Sequence, residues 1–555
     1  MKNNSQFSPV RIIVNLLITL AAAGIYFYVE LPALNFRSME LWIFIVLALA
    51  LFSFLTLITA GIGITRSSSP SEVFKGLWRV CKIPVILIAA IVVFCLVGNL
   101  CSAVIFNSKA YSNLIEVEES DFTADINEIS YEQIPQLDKD SASVLANRKL
   151  GELRDLVSQF EVEAESAQIN YNDRPVRVTY LNYGDFFKWI KNTKNGIPAY
   201  LITDMVTQEV TVVRTESGIK YSPSEYFNRN ISRHLRFNYP TLMFEDINFE
   251  IDEDGTPYFV ASVMTKRIGI FGGRDIVGAV LCNAITGESV YYDAADIPTW
   301  VDRIFTADLL IEQYDYRGMY QNGFWNSIFG QTGCTVTTEG YNYIAQDDDV
   351  WMYTGITSVG GDQSNIGFIL VNQRTKTARF YSIAGAEEFS AMDSAEGVVQ
   401  QYGYVAAFPL LLNIKGQPTY FLPLKDASSL VKMYAMVNVQ QYQIVAYGTS
   451  LAECEENYDV LLMKNGLIEN EPDIPDTPEE DKYETELTGV ITEIRQAVID
   501  GTTVYYVAID TLSEKYLRLS AADNENAAIL NVGDTISVSA DAEDTEAAIL
   551  SSILK

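Results

Sequence analysis

Histidine is almost absent from this chain: His234 is the only one in 555 residues. Zinc sites built on imidazole and His-rich catalytic clusters are thereby excluded. A Ser-His-Asp triad would have to be assembled on His234, which sits in the run Arg233, His234, Leu235, Arg236 on an expected helix. No G-x-S-x-G elbow accompanies it, so the residue reads as a surface or capping side chain. Cysteine is scarce too, six in all, without C-x-x-C spacing. Cys81, Cys95 and Cys101 lie in or beside an apolar segment, while Cys282, Cys334 and Cys454 are scattered. Three thiols cannot all pair internally; one disulfide is open to them, and buried free thiols are the default. Positive charge is short as well, 39 Lys and Arg against 71 Asp and Glu, for a net charge of −32. Such a surface repels nucleic acid and anionic headgroups. It serves solubility, or alternatively a cation or a basic partner.

Long apolar runs are missing after Phe106, and before it there are three: Ile12 to Val29, Leu41 to Ile64 and Ile83 to Phe106. A bilayer core of about 30 Å needs roughly 20 apolar residues per helix, so residues 1–106 read as a three-helix membrane anchor. Arg66, Lys75, Arg79 and Lys82 crowd the second connection, whereas Arg37 stands with Glu30 and Glu40 in the first. Retention of bases on the cytoplasmic side puts the N-terminus inside and everything after residue 106 outside, as a multi-pass cell-membrane protein. Ala21, Ala22 and Ala23 lie within the first apolar run, not after it, so a retained helix is expected in preference to a cleaved signal peptide. The residues beyond Phe106 hold 68 acids and 32 bases, a net of −36.

In that acidic body, residues 107–174 read as a polar stalk and a helix from Asp138 to Glu163, where Leu145, Leu150, Leu153, Val157 and Phe160 recur at near-helical spacing. From about Pro175 to Gly448 a small unit repeats: a Pro followed by an apolar strand, a gap, and a second strand entered through a polar turn. Pro198 to Ile202, Pro257 to Ala261 and Pro418 to Leu422 give the Pro-led strand. The turns fall at Thr207 to Glu209, Thr286 to Glu288 and Arg374 to Lys376. Helices are expected at Gly184 to Lys191, Ser222 to Arg236, Ile297 to Ile311 and Ala386 to Gln401. Paired strands separated by helices predict an α+β fold of antiparallel sheet and helix modules, one pair over 175–310 and another over 311–466.

The run Thr256, Pro257, Tyr258, followed by Ala279 to Leu281 and Thr286 to Val290, resembles the PepSY domain. From about Leu145 to Cys454 the chain also resembles a family of multipass-anchored exported Gram-positive proteins without an assigned activity, through the phrases Gly184 to Ile190, Tyr221 to Asn228, Gln321 to Asn326 and Phe368 to Arg374. PepSY kinship implies an inhibitory, chaperoning or partner-binding role at the cell envelope. Residues 467–484, with Pro472, Pro475 and Pro478 among acids, predict an extended linker. Residues 485–555 alternate strongly and carry an Asp500-Gly501 hairpin signal, predicting a small β-barrel that resembles an OB-fold. Arg495, Lys515 and Arg518 are outnumbered there by acids, which disfavours nucleic-acid binding.

Asp252, Asp254 and Gly255 resemble the start of a calcium loop, but Ala261 stands where a bidentate Glu is needed, leaving a strand turn. Asp347, Asp348 and Asp349 read as a solvated turn. The expectation is therefore no catalytic residue, metal or cofactor. Tyr291, Tyr292, Tyr320, Phe324 and Trp325 are the candidate lining of a ligand groove, because flat rings stack on sugar or peptide faces; sheet packing is the alternative. The function expected is a noncatalytic, membrane-anchored extracellular scaffold or regulatory protein of the envelope with a protein partner. A paired-carboxylate wall or peptide hydrolase and an accessory subunit of a transport or secretion complex are the alternatives.

Overall fold

The computed structural model describes residues 9–61, 70–126, 128, 134–346, 348–360, 364–468, 485–499, 502–512, 515–520, 525–540 and 549–554. They form two compact units, Met1–Leu467 and Ile468–Lys555. Arg66, Asp347, the acidic linker from 469 to 484 and the Asp500-Gly501 turn lie outside the described residues.

Three apolar helices open the first unit: α1 (Pro9–Glu30), α2 (Met39–Gly61) and α3 (Pro70–Ser102). Spans of 21, 21 and 22 residues within them are long and apolar enough to cross a membrane. Asn15, the polar residue in α1, is 2% exposed and donates to the Thr59 hydroxyl at 2.9 Å, which satisfies an amide that lipid could not. The third segment was expected to run to Phe106; α3 instead stops at Ser102, and a separate α4 (Val104–Ser112) follows Ala103.

The connection between α1 and α2 is tied to the body. Leu34 N–H donates to Pro240 O at 2.7 Å, Arg236 Nε to Leu31 O at 2.8 Å and Arg37 to Lys266 O at 2.6 Å. At the end of α3 the Ser102 hydroxyl accepts from the backbone N–H of Ile270 and Phe271. The body thus sits against the 31–38 loop and the end of α3, while the 62–69 connection joins the opposite ends of α2 and α3.

The expected stalk is woven into the body. After α5 (Phe122–Asp125) come the buried Ile126, Ile134 and Leu137, and the strand Val117–Ser120 pairs in parallel with Ala378–Tyr381. The expected helix from Asp138 ends early, as α6 (Lys139–Glu152), with the Asp138 carboxylate capping Ser141 N–H. Phe160–Val162 is already a strand, because Phe160 is needed in the sheet core against Tyr183.

Four antiparallel meanders follow. Their strands are Ala167–Asn170, Pro175–Tyr183, Ile197–Asp204 and Val210–Ile219; Met243–Ile251, Pro257–Ile268, Gly272–Asn283 and Ser289–Asp293; Asn342–Gln346, Asp349–Ser358, Gly367–Asn372 and Ala378–Tyr381; and Leu410–Ile414, Gln417–Lys425, Val431–Asn438 and Val445–Gly448. Each meander is followed by a helix: α8 (Ile231–Asn238), α9 (Ala307–Tyr320), α10 (Glu388–Val398) and α11 (Leu451–Lys464), with α7 (Phe186–Asn192) inserted in the first. Where Ile297 to Ile311 was expected to be helical, a turn follows Pro298, with Val301 N–H bonded to Pro298 O at 3.1 Å, and α9 starts only after the Thr306 side chain caps Leu309 N–H.

One device closes the third strand of every meander. Asp204, Asn283, Asn372 and Asn438 each accept, through the side-chain oxygen, the backbone N–H groups two and three residues on. The next backbone N–H, on Met205, Ala284, Gln373 or Val439, reaches Pro175, Val350 or an equivalent: the acceptors are Pro175 O, Pro257 O, Val350 O and Pro418 O. Pro175, and not Pro198, is therefore the first-copy counterpart of Pro257. Pro198 lies one strand later, which corrects the expected register of that copy. In the second turn Gly287 has φ 78°, and a Cβ there would meet the Tyr221 ring at 2.2 Å, so this position accepts only glycine.

The first two sheets share a core containing Val178, Leu181, Tyr200, Phe249, Phe259 and Val280. The opposite face of the second sheet packs through Val260, Ala279 and Leu281 with α9 and with Met352, Ile369 and Val371 of the third. The third meets the fourth through Phe368 and Tyr420, whose rings lie 5.9 Å apart edge to face. All six cysteines are free, and burial pushes the Cys282 and Cys454 thiols up to about 12.

The second unit is a five-stranded antiparallel sheet in the order Leu517–Ser520, Thr502–Ile509, Thr485–Ile499, Thr535–Ala540, Ile549–Leu554. The long Thr485–Ile499 strand pairs with Thr535–Ala540 through its first half and with Thr502–Ile509 through its second. Ile491, Val507, Leu517, Leu519, Ile536 and Val538 form its core. Among the described residues the two edge strands do not meet, so the expected barrel is an open sheet.

Candidate functional site

The five aromatic residues singled out in the sequence occupy different surroundings. Tyr291 and Tyr292 are consecutive in a strand, so they face opposite sides of the second sheet. Tyr291 packs on the core shared with the first sheet and donates to the Asp293 carboxylate at 2.9 Å; Tyr292 packs on the core shared with the third. Tyr320, Phe324 and Trp325 do come together at the end of α9, in a ladder continued by Phe329. None of these five lines the acid-rich cleft of the first, third and fourth sheets.

That cleft, of about 570 Å³, opens where strand turns of the first, third and fourth sheets converge. Its mouth carries the carboxylates of Glu128, Asp173, Asp204 and Asp348, with Arg174 in an ion pair to Asp204 at 3.2 Å. Asp204, the one turn residue of the four that is Asp and not Asn, is the carboxylate that Arg174 neutralises, so Glu128, Asp173 and Asp348 make up the surplus of acid. Burial, then the neighbouring Asp173 and Asp349, raise the Asp348 carboxyl above its ordinary range. Asn170 is the hinge between the cleft and the interior. Its side chain reaches Asp348 at 3.4 Å, and its backbone N–H donates to Asp302 Oδ2 at 2.7 Å.

Behind Asn170 lies a buried polar layer that no local sequence feature marks. Glu250 is fully buried and Asp302 is 1% exposed; Asp302 N–H donates to Glu250 Oε2 at 3.0 Å. Desolvation raises the Glu250 carboxyl from 4.5 to about 8, opposed in part by the Asp302 N–H and by Arg303. Desolvation also lifts Asp302, and the Glu250 charge pushes it further. Arg303 is held by Asp246 at 3.2 Å, and buried Arg177 by Gln168 at 3.2 Å. Nearby, Asp349 takes Arg374 in a two-pronged pair at 2.6 and 2.8 Å. The two carboxyls are closed off from solvent and cannot touch a solute, so this layer orders the sheet junction.

Other candidates have structural employment. The Asp252 carboxylate accepts from Asp254 and Thr256 N–H in the turn before Pro257. His234 Nε2 is bonded to Gly287 O at 2.8 Å, and its ring lies 4.6 Å from Tyr221, fastening α8 to the second turn. Among the described residues no three His, Cys, Asp or Glu side chains converge as a metal-ligand set. No protein-family model matches the chain, and no curated protein matches it significantly.

Proposed function

We propose that the chain is a noncatalytic scaffold or regulatory protein of the cell envelope, anchored by three helices with its N-terminus in the cytoplasm and its body outside. The observation that carries the reading is the seating of the body on the 31–38 loop and the end of α3, opposite the base-rich connection that precedes the third span. The fourfold meander and helix, with its Pro-led strand and Asx turn, supports kinship with PepSY modules. The long first strand of the second unit, paired on both sides, supports an OB-like derivation. The acid-lined cleft suits a basic segment of a protein partner and repels nucleic acid.

A photo-reactive side chain introduced at Thr207, an exposed position lining the cleft, tests the reading in cells. Crosslinking to a second envelope protein, weakened by Asp204→Asn, is expected. Crosslinking to nothing beyond the chain itself would remove the scaffold reading. Hydrolysis of peptidoglycan or peptides by the purified protein, abolished by one Asp or Glu substitution, would replace it with a hydrolase.

A further inference from the structure

From the end of α9 we infer a second membrane contact: the segment Phe324 to Phe329 is a foot that enters the interfacial layer of the same leaflet in which α3 ends. The inference rests on the three spans and holds whichever side of the membrane the body occupies.

The position of the foot follows from a continuous chain of contacts. In the second meander the hairpin tip at Ile270 and Phe271 is bonded to Ser102, the last residue of α3. The Phe271 ring lies 6.1 Å from Phe94 and against Gly98, so the tip reaches one to two helical turns into the apolar span. α9 descends along that hairpin. Its Leu309 and Leu310 share a core with Ala279, and Gln313 bonds to Arg274 O at 2.7 Å, next to the tip. Continuing from Gln313 to Tyr320 carries the helix another ~10 Å in the same direction, to the level where α3 ends.

Aromatic contacts trace the same line. The Tyr111 hydroxyl donates to Ser102 O at 2.7 Å, and its ring lies 4.8 Å from Tyr316. Tyr316 is followed by Tyr320 at 6.1 Å, Phe324 at 6.3 Å, Trp325 at 5.4 Å and Phe329 at 5.9 Å. At the end of this ladder large apolar surface faces outward: Trp325 is 61%, Ile328 49% and Phe329 79% exposed. Water is a poor solvent for three such side chains together, and the headgroup layer is a good one, above all for Trp.

Charge selects lipid over a protein partner. From Gly318 to Thr338 there is no charged residue, in a body with 68 acids. A protein-binding patch needs no such silence, whereas a segment lying in an interface with anionic headgroups must lose its carboxylates. A further aromatic contact joins the body to the first span. Phe237, 53% exposed, lies 5.5 Å from Phe27 in the last turn of α1, and Arg233 stacks over Tyr28 at 4.2 Å.

Trp325 is its own probe. The full-length protein is placed in nanodiscs of phosphatidylcholine and phosphatidylglycerol, with and without dibrominated phosphatidylcholine, beside the Trp325→Phe variant, which keeps an aromatic ring. The emission lost on substitution is the Trp325 signal, free of the other five tryptophans. Brominated acyl chains are expected to quench that difference signal at least about twofold, with aqueous iodide having little effect. Quenching by iodide and not by bromine would place Trp325 in water and overturn the inference. Protection from both quenchers would mean that protein covers the segment, a second copy or a partner, and would overturn it equally.

Discussion

Glu250 and Asp302 are carboxyls held where water cannot solvate their charge, and that sets a definite pH dependence. Unfolded, Glu250 ionises near 4.5; folded, it keeps its proton to about 8. Between these values the folded state binds the extra proton, so the Glu250 contribution is fully present below pH 4.5 and is lost as pH rises towards 8. Glu250→Gln keeps an acceptor for Asp302 N–H and removes the ionisation. It is expected to stabilise the body by roughly 3 kcal/mol at pH 8 and to flatten the decline of Tm from pH 5 to 8 in detergent. A variant whose pH profile matches that of the parent would exclude a proton on Glu250. The turn residues make a second test. Asn372 is 2% exposed, caps Arg374 and Thr375 N–H and donates to Asp349 at 2.7 Å. Asn372→Ala is expected to lose ~3 kcal/mol, against ~1 kcal/mol for Asn283→Ala, whose turn is more open to solvent; denaturant titration distinguishes them.

Elements whose reason is local were legible in the sequence, and those fixed by distant partners were not. Apolar length alone announces the three spans, and turn chemistry at Thr286, Gly287 and Glu288 locates the second Asx turn. The first-copy register misled because Pro198 has the right residue type, whereas Pro175 has the backbone partner, Met205 N–H. The helix from Asp138 is shorter than its spacing suggests because Val157, 46% exposed in the turn after Leu153, and Phe160, buried in the sheet core, continue a helical spacing by accident. Glu250, Asp302 and Arg177 were invisible since nothing local marks a charged residue for burial; only the meeting of sheets decides it. The hairpin tip gives a prediction at this scale. A methyl group on Gly98 would lie 2.6 Å from the Phe271 ring. Gly98→Leu is therefore expected to dislodge the tip and raise hydrogen exchange over residues 266 to 273, while exchange in the second unit stays unchanged. Unaltered protection at the tip would show that Phe271 does not rest on α3.

For the whole molecule, the four sheets and their helices are one body fastened to its anchor by the Leu34 N–H and the Arg37 and Arg236 guanidinium hydrogen bonds at the 31–38 loop and by the hairpin tip, not carried on a loose stalk. The membrane thereby fixes the orientation of the acid-lined cleft, which suits a protein that presents a surface to a partner. The envelope reading turns on which side the body faces. The decisive measurement is labelling of intact cells by a membrane-impermeant maleimide, in a Cys101→Ala background, with Ser428→Cys in the body and Ser68→Cys in the connection between α2 and α3. With the body outside, the cysteine at 428 is labelled in intact cells and the cysteine at 68 only after lysis. Labelling at 68 with protection at 428 would put the body in the cytoplasm and contradict it.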